Sequence, residues 1–360
     1  MRRALLPCLW LLAAAAVGAA PRVERGELGG ALYAVAVPEQ WNGRLLLIAH
    51  GFRPLDQPLH AELHEAKPPH ATLLADGWIV ALTSYRRNGM ILRDAIEDLG
   101  ALREHIVVRH GAPTYTYLMG ESMGGAIVTL IAEHFPDHYA GAIAIGAALD
   151  AREPPPTVGI TLQPKLPVLY LTNRSELAGP ARYVEAAAAA EKPPVVWRVD
   201  RDGHVNVNAA EKLAALAAVV RWVEQGVPPP AAHDATLAPA PGPSRVTWND
   251  DASAAGVVTE VHPVYGNLTL DFQPDDLGRL GIEPHTWFAL VVGGTPPERA
   301  DGRVIRVFRG ATFASVKRGE WVAFPDAEGW LTIAVNRGHA AQVAGLRAGE
   351  GVTLRRLRSE

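Results

Sequence analysis

Ser122 is the residue of this 360-residue sequence best placed to form a covalent bond with a substrate. It lies in Gly120-Glu121-Ser122-Met123-Gly124, which has the pattern Gly-x-Ser-x-Gly. An apolar run typical of a strand precedes this pattern, and an apolar run typical of a helix follows it. In that setting a sharp turn raises the serine hydroxyl above the end of a sheet, and the glycines leave room for the turn. We therefore expect Ser122 to act as a nucleophile.

A serine hydroxyl needs a neighbouring base, because it is a weak nucleophile while it keeps its proton. His204 follows a strand-like run and precedes a long helical pattern. Because the pKa of imidazole lies near neutral pH, we expect His204 to take the serine proton and return it. Glu176, in the loop after the preceding strand-like run, is the predicted acid that orients the imidazole and stabilises its charged form. The alternatives for this acid are Asp150, Asp200 and Asp202.

A reaction at a carbonyl group also needs donors for the negative charge that develops on its oxygen, and backbone N–H groups can serve this purpose. The N–H of Met123, next to the nucleophile, is one candidate for this oxyanion hole. The other is the N–H of Phe52 in His50-Gly51-Phe52, a segment that follows an early strand-like run. Gly51 would let this backbone approach a substrate closely. We interpret His50 as a structural side chain.

Polar side chains after a further strand-like run are candidates for holding a substrate. Tyr85 and Arg86 lie just beyond the run that ends at Thr83. An arginine can bind a carboxylate through two parallel hydrogen bonds. Arg86, or Arg87 beside it, could therefore bind an acidic group of the substrate. The alternatives are that these arginines lie in a solvated loop or that they pair with Asp94 or Glu97 further along the chain.

The sequence predicts neither a metal nor an organic cofactor. His60 and His64 are four positions apart, which can place two imidazoles on one helix face. No third ligand accompanies them in the sequence, so we expect no metal site there. The single cysteine, Cys8, excludes a cysteine-based zinc site and an internal disulfide.

Residues 1–20 have the composition of a secretory signal peptide. A basic start is followed by the apolar run Ala4–Val17 and by small residues at 18–20, which is the order such peptides have. The apolar run is shorter than the ~20 residues of a spanning helix, so a membrane anchor is the weaker interpretation. We expect a secreted or periplasmic protein without membrane contact after removal of this segment. The net charge of −4 argues against nucleic acid as a partner.

Strand-like and helix-like runs alternate between residues 31 and 232. This alternation predicts an α/β fold, a mainly parallel sheet with helices on both faces. Asn42-Gly43 is a strong turn signal, so we expect Leu32–Val37 and Leu45–Ala49 to form an antiparallel hairpin. The other predicted strands are Trp78–Thr83, Tyr115–Met119, Ala142–Ile145, Val168–Leu171 and Val195–Val199, and the predicted helices are Ala71–Asp76, Asp94–His105, Gly124–His134, Tyr183–Ala190 and Ala209–Glu224.

A change of composition divides the chain at residues 227–244. This segment is rich in proline and is interpreted as a semi-rigid linker, with a long surface loop as the alternative. Residues 245–360 carry short β-type runs broken by glycine and proline, which predict a second, β-rich and barrel-like domain. Its predicted strands are Val257–Val261, Asn267–Phe272, Phe288–Val292, Ile305–Phe308, Trp321–Phe324, Leu331–Val335 and Gly351–Leu354, with a helix at His339–Ala344.

Residues 31–226 resemble the α/β-hydrolase superfamily, because His50-Gly51, the segment around Ser122, Glu176 and His204 occur in the order of that superfamily. The resemblance implies a serine hydrolase that acts through an acyl-enzyme and needs no metal or organic cofactor. We expect residues 21–226 to form its catalytic domain.

A carboxylic ester, either a small molecule or a polymer, is the substrate that we expect. A serine peptidase of the same fold is the alternative. The sequence between Asp150 and the next predicted strand is short, which leaves no room for a large cap. A lid over the site would therefore come from residues 53–72 or from the second domain.

Residues 250–356 are similar to the C-terminal domain of the S-adenosylmethionine hydroxide adenosyltransferase and fluorinase family. The run Tyr265-Gly266-Asn267 and the run from Ile333 to Ala341 carry this similarity. The family's acidic ligand position is occupied by His262, and its Ser-Arg pair is replaced by Ala327-Glu328. We therefore expect the second domain to form an interface or a platform that binds the substrate. It could also mediate the contact between subunits of a homo-oligomer. An adenosyl-ligand binding protein with a degenerate hydrolase domain is the alternative.

Overall fold

A computed structural model describes residues 21–153, 158–293 and 302–357. The signal peptide predicted at 1–20 lies outside these residues. Within the described residues, none of the helices is both long enough and apolar enough to cross a membrane.

The first sheet has nine strands, and its central part is parallel. The strands are β1 (Arg22–Leu28), β2 (Ala31–Val37), β3 (Arg44–Ala49), β4 (Ile79–Thr83), β5 (Tyr115–Glu121), β6 (Gly141–Ile145), β7 (Val168–Asn173), β8 (Val195–Val199) and β9 (Ala232–Asp234). Their order across the sheet is β1-β2-β4-β3-β5-β6-β7-β8-β9. All pairs from β4 to β9 are parallel, whereas β1 and β2 are antiparallel to their neighbours.

Helices cover both faces of this sheet. They are α1 (His70–Ala75), α2 (Arg93–His110), α3 (Met123–His134), α4 (Ala178–Ala186) and α5 (Ala209–Gln225). Side chains of α2, α3 and α4 form one apolar core with alternate residues of the strands. Side chains of α1 and α5 form a second core with the other residues. The central strands thus bury both of their faces, as expected for a parallel sheet, whereas the edge strands β1 and β9 are partly or fully exposed. The predicted fold class is confirmed.

The predicted hairpin between Leu32–Val37 and Leu45–Ala49 is wrong. β2 pairs with β1 and with β4, and β3 lies on the far side of β4 and parallel to it. The hairpin forms instead between β1 and β2 through Gly29-Gly30, where both residues have positive φ, as a two-residue turn between twisted strands requires. Asn42 bonds instead to the end of α1, because its side chain donates to the carbonyl of Asp76, 2.6 Å away.

The edges of the sheet hold two strands that we did not predict. β1 lies directly before the predicted elements, and β9 lies inside the proline-rich segment 227–244 and pairs with β8. The segment 227–244 therefore contributes three residues to an edge strand. Proline is tolerated near such an edge because no further strand needs its missing N–H.

The second sheet lies in residues 247–356. Its strands are β10 (Thr247–Asp250), β11 (Ser253–Val261), β12 (Leu268–Leu270), β13 (Trp287–Val292), β14 (Arg303–Arg309), β15 (Trp321–Pro325), β16 (Leu331–Val335) and β17 (Gly351–Arg356), with helices α6 (Pro274–Arg279) and α7 (Ala340–Ala344). The order is β10-β11-β12-β16-β15-β14-β13-β17, and a further pairing of β11 with β17 closes the sheet. This closed barrel around its own apolar core confirms the β-rich second domain.

Candidate active site

Ser122 occupies the turn between β5 and α3, with φ 56° and ψ −116°. Positive φ is uncommon for a residue with a side chain, and the strain persists where the surroundings hold the backbone. Backbone hydrogen bonds hold it here. The N–H of Ser122 donates to the carbonyl of Ile145 (2.9 Å), and the carbonyl of Ser122 accepts from the N–H groups of Gly125 (2.9 Å) and Ala148 (3.0 Å). The turn stands at the carboxyl end of the parallel strands, where loops from several strands meet.

The glycines around Ser122 are required by close backbone approach. A Cβ atom on Gly120 would lie 2.1 Å from the carbonyl oxygen of Gly124, and one on Gly124 would lie 2.0 Å from the carbonyl oxygen of Ala49. Both obstacles are backbone atoms, so no side chain can move aside. The helix α3 can therefore begin close to β3 only because these positions are glycine.

Gly124→Ala is expected to destabilise the fold by about 1–3 kcal/mol or more, the usual cost of overpacking. The added methyl group would push α3 away from β3 and distort the turn at Ser122. Urea unfolding measures the effect. Gly100→Ala is the matched control, because Gly100 lies inside α2 with open space at its Cβ position. That change should stabilise the fold by about 0.5–1 kcal/mol. Equal stability of the two variants would contradict this account of the turn.

Ser122, His204 and Glu176 are brought together by three different loops. Nε2 of His204 lies 2.8 Å from Oγ of Ser122, and Nδ1 of His204 lies 2.6 Å from Oε2 of Glu176. The second carboxylate oxygen of Glu176 accepts from the N–H of Val205 at 3.1 Å. The tautomer with the proton on Nδ1 leaves Nε2 free to accept the serine proton, which is the arrangement that a general base needs.

Short polar contacts hold the acid loop after β7 against the base loop after β8. The side chain of Asn173 donates to the carbonyl of Asn206 and accepts from its N–H, both at 2.8 Å. Arg174 binds Asp202 through Nε (2.9 Å) and Nη2 (2.8 Å). Ser175 Oγ lies 2.9 Å from both the N–H and the carbonyl of Gly203. Asp202, an alternative acid in the sequence, is thus engaged with Arg174.

The hydrogen bond to Glu176 raises the pKa of His204, partial burial opposes this shift, and the carboxylate charge reinforces it. The charged imidazole is therefore stabilised at the moment when it would hold the serine proton. The side chain of His204 is 55% exposed and that of Glu176 is 22% exposed. The imidazole can thus be reached from outside, while the carboxylate that orients it lies deeper.

Phe52 and Met123 present backbone N–H groups near Ser122. A Cβ atom on Gly51, the residue before Phe52, would lie 3.2 Å from Cβ of Ser122, so this loop passes directly beside the nucleophile. Met123 is the first residue of α3, where N–H groups have no partner inside the helix. Across the described residues, neither N–H donates to another group of the protein. Both are available to an oxygen atom of a substrate.

The side chains at the two positions considered for substrate binding have other partners. The guanidinium of Arg86 binds Asp98 at 2.6 and 2.9 Å and also contacts Glu97 at 3.1 Å. Tyr85 is fully buried; its ring stacks on that of His50 with centroids 4.0 Å apart, and its hydroxyl donates to the carbonyl of His50 at 3.2 Å. Tyr85 and Arg86 therefore support the loops around the site rather than face a substrate, which corrects the substrate role expected for both. The contact of Arg86 with Glu97 is the alternative that the sequence left open.

His50 serves the same loop. Its ring lies between the carbonyl oxygens of Gly51 (2.7 Å) and Ser84 (3.0 Å). Burial lowers the pKa of His50 to about 4, so the ring stays neutral and carries one N–H. Nδ1 faces the nearer carbonyl, and the tautomer with the proton on Nδ1 donates to Gly51. The ring packs beside the segment that contains Phe52 and supports it, in agreement with the structural role expected for His50.

Two parts of the chain match models of known families. Residues 89–220 match the family described as serine aminopeptidase, S33, and residues 264–353 match the C-terminal domain of SAM hydroxide adenosyltransferase. The first domain has the fold of an α/β-hydrolase. The matched part of this hydrolase domain includes Ser122, Glu176 and His204, while Phe52 lies before it.

The solved structures that are similar to this chain share little of its sequence. An uncharacterized conserved protein from Thermotoga maritima is 23% identical over 38% of this chain and 49% of its own, with a TM-score of 0.28. An acylaminoacyl peptidase from Pyrococcus horikoshii is 15% identical over 51% and 37%, with a TM-score of 0.40. The esterase Pf2001 from Pyrococcus furiosus is 13% identical over 56% and 90%, with a TM-score of 0.44. The chain spans less than half of the first two proteins. No curated protein matches it.

An ion pair beside the nucleophile was missed by the sequence reasoning. Glu121 precedes Ser122, and its carboxylate lies 2.6 Å from Nζ of Lys212, in the first turn of α5. Burial opposes ionisation of Glu121, yet the charge and hydrogen bond of Lys212 lower the pKa of the carboxyl. Because α5 follows β8, its first turn lies at the same end of the sheet as the hydrolase loops. The position of Lys212 just after a predicted strand was therefore the sequence feature that could have indicated its place near the site.

The second domain reaches the hydrolase domain beside the site. The hydroxyl of Tyr265 donates to the carbonyl of Phe52 at 2.6 Å. Lys67, in the segment 53–72 considered as a lid, pairs with Glu260 at 2.5 Å. Glu328 accepts from the N–H of Ala209 at 2.8 Å.

The histidines considered as metal ligands have another environment. His60 lies 2.9 Å from Glu62. Among the described residues, no group of three or more His, Cys, Asp or Glu is arranged to hold a metal ion.

Proposed function

We propose that this protein is a serine hydrolase that cleaves carboxylic esters through an acyl-enzyme. The observation that carries the proposal is the hydrogen-bonded chain from Ser122 through His204 to Glu176. Beside it lie two backbone N–H groups that have no partner in the part of the chain that the structure describes. We further propose that the mature protein is secreted or periplasmic, on the composition of residues 1–20.

The residues suggest a two-step reaction. Oγ of Ser122 attacks the carbonyl carbon of the ester while its proton passes to Nε2 of His204. The N–H groups of Met123 and Phe52 donate to the oxyanion of the tetrahedral intermediate. The C–O bond then breaks, and the alcohol leaves with the proton from His204. A water molecule then attacks the acyl-enzyme, and one of its protons passes to Nε2 of His204. The bond between the acyl carbon and Oγ of Ser122 breaks, His204 returns the proton to Oγ, and the carboxylic acid is released.

A peptide substrate is the second candidate. The match of residues 89–220 to the serine aminopeptidase family favours it. The chemistry of the triad serves both bonds, because an amine can take the proton of His204 as an alcohol does. Relative rates on p-nitrophenyl esters of varied acyl length and on peptide anilides distinguish the two candidates.

A fluorophosphonate probe is expected to label the protein at Ser122, because such probes react with a serine that a neighbouring base activates. The label should disappear in Ser122→Ala. Ser253→Ala is the control, since Ser253 lies in β11 of the second domain with its hydroxyl donating to Asp250. Intact-mass measurement should find the adduct in the wild-type protein and in the control. Equal labelling of wild type and Ser122→Ala would refute the proposed nucleophile.

A further inference from the structure

Tyr265, in the second domain, contacts Phe52 of the proposed oxyanion hole. Its hydroxyl donates to the carbonyl of Phe52 at 2.6 Å, across 213 positions of the chain. Tyr265 is 43% exposed and Phe52 is 40% exposed, so the contact lies at the mouth of the site. Burial raises the pKa of Tyr265, which keeps the hydroxyl protonated and able to donate.

The loop after β3 has a partner for each of four successive carbonyl oxygens. That of His50 accepts from the hydroxyl of Tyr85 (3.2 Å), and that of Gly51 lies 2.7 Å from Nδ1 of the His50 ring. The carbonyl of Arg53 accepts from the N–H of Gly89 at 2.9 Å. These three partners belong to the hydrolase domain. The remaining carbonyl, that of Phe52, accepts from Tyr265 of the second domain, and no hydrolase-domain donor to it is found among the described residues.

The carbonyl of Phe52 and its N–H belong to the two peptide groups on either side of one Cα atom. Each peptide group is planar, so only two torsions separate the orientation of the carbonyl from that of the N–H. Gly51, which precedes Phe52, has no side chain to restrict its own torsions. A donor to the Phe52 carbonyl therefore limits the directions in which the Phe52 N–H can point.

The turn that carries Tyr265 is itself rigid. It joins β11 to β12 and is closed by the N–H of Gly266, which donates to the carbonyl of His262 at 2.8 Å. Nδ1 of His262 accepts from the N–H of Tyr265 at 3.2 Å. Gly266 has φ 62°, and its carbonyl accepts from the N–H of Ala341 in α7 at 2.8 Å. A Cβ atom on Gly266 would lie 2.0 Å from the ring of His339.

We propose that Tyr265 is a positioning residue for the reaction of the hydrolase domain: it orients the Phe52 N–H toward the oxyanion. This inference rests on the proposed function. It gives the second domain a role in the hydrolase reaction, with the tyrosine of the Tyr-Gly-Asn turn as the part that performs it. The active site is then complete only when the two domains are in contact.

Tyr265→Phe tests this role because it removes one oxygen atom and keeps the ring. Loss of one oxyanion donor lowers kcat by about 10²–10³-fold, and a misdirected donor should cost less. We therefore expect kcat for a p-nitrophenyl ester to fall roughly tenfold, with KM within about twofold because ground-state binding is kept. Binding of a trifluoromethyl ketone, whose adduct with the serine places an oxyanion at the same position, should weaken in parallel with kcat/KM.

Two control variants break other contacts between the domains. Lys67→Met removes the ion pair with Glu260, and Glu328→Gln weakens the contact with the Ala209 N–H. Both should keep the wild-type kcat, and Tm reports the folding of all three variants. An unchanged kcat in Tyr265→Phe, with an active wild-type protein, would overturn the inference alone. Equal losses of kcat in Tyr265→Phe and Lys67→Met would also overturn it, since they would indicate general docking. A wild-type protein without activity or fluorophosphonate labelling would overturn the proposed function instead.

Discussion

Replacing His204 by alanine is expected to lower kcat for ester hydrolysis by about 10⁴- to 10⁶-fold, the cost of removing the base of a serine triad. His204 lies 2.8 Å from the nucleophile, and no other base is hydrogen-bonded to Ser122 Oγ among the described residues. The proton of the serine would then have no acceptor during attack, and the leaving alcohol would have no donor. KM should change little, because His204 contributes to the transition state more than to binding of the ester.

Steady-state kinetics on a p-nitrophenyl ester measures this loss. His138→Ala is the control, because His138 is exposed in the short helix Pro136–His138; it should retain the wild-type rate. Ser122→Ala combined with His204→Ala should be no slower than either single variant, since residues that act as one unit are not additive. A His204→Ala enzyme with more than about a tenth of the wild-type kcat would exclude His204 as the base.

The sequence alone allowed the candidate triad to be proposed because of a property of parallel sheets. Ser122, Glu176 and His204 each follow a strand, and the carboxyl ends of parallel strands open onto one edge. In the structure β5, β7 and β8 end at that edge, with β6 between the first two. A pattern that places chemically suited residues after successive strands therefore predicts that their loops meet, without knowledge of the distances.

The order of the strands could not be predicted in the same way. Leu32–Val37 and Leu45–Ala49 are both apolar and adjacent in sequence, and Asn42-Gly43 lies between them. Nevertheless β4, which comes later in the chain, lies between β2 and β3. The choice of partner depends on how side chains pack across the whole sheet. A turn signal reports only local backbone preference, and here that turn bonds to Asp76 at the end of α1.

The partners of Arg86 and Tyr265 are long-range contacts of the same kind. Arg86 was predicted to bind substrate or to pair with Asp94 or Glu97, and it binds Asp98 as well as Glu97. Asp98 is almost fully buried, which the helical pattern of α2 did not reveal. Tyr265 was known from the sequence as part of a family motif. Its contact with Phe52 joins two domains. The hydrophobic pattern of each domain predicts that domain's own strands and helices, and it does not predict which surfaces of the two domains meet.

Glu176→Gln is expected to lower kcat by about 10²- to 10⁴-fold, since a triad histidine without its carboxylate loses both its favoured tautomer and the stabilisation of its charged form. The amide keeps the shape of the side chain, and its oxygen can still accept from the N–H of Val205. The loss should therefore come from Nδ1 of His204, which now faces a neutral group that can also donate a hydrogen bond and so favour the wrong tautomer.

The pH dependence separates this effect from a general loss of structure. Glu176 raises the pKa of His204, and the base must be neutral to accept the serine proton. The wild-type kcat/KM should therefore fall on the acid side at a higher pH than that of Glu176→Gln, because the variant lacks the charge and the hydrogen bond that raise the pKa. Asp150→Asn is the control, as Asp150 is exposed and was the alternative acid; its profile should match the wild type. A Glu176→Gln profile shifted to higher pH, or a larger loss in Asp150→Asn, would show that Glu176 is not the acid of the triad.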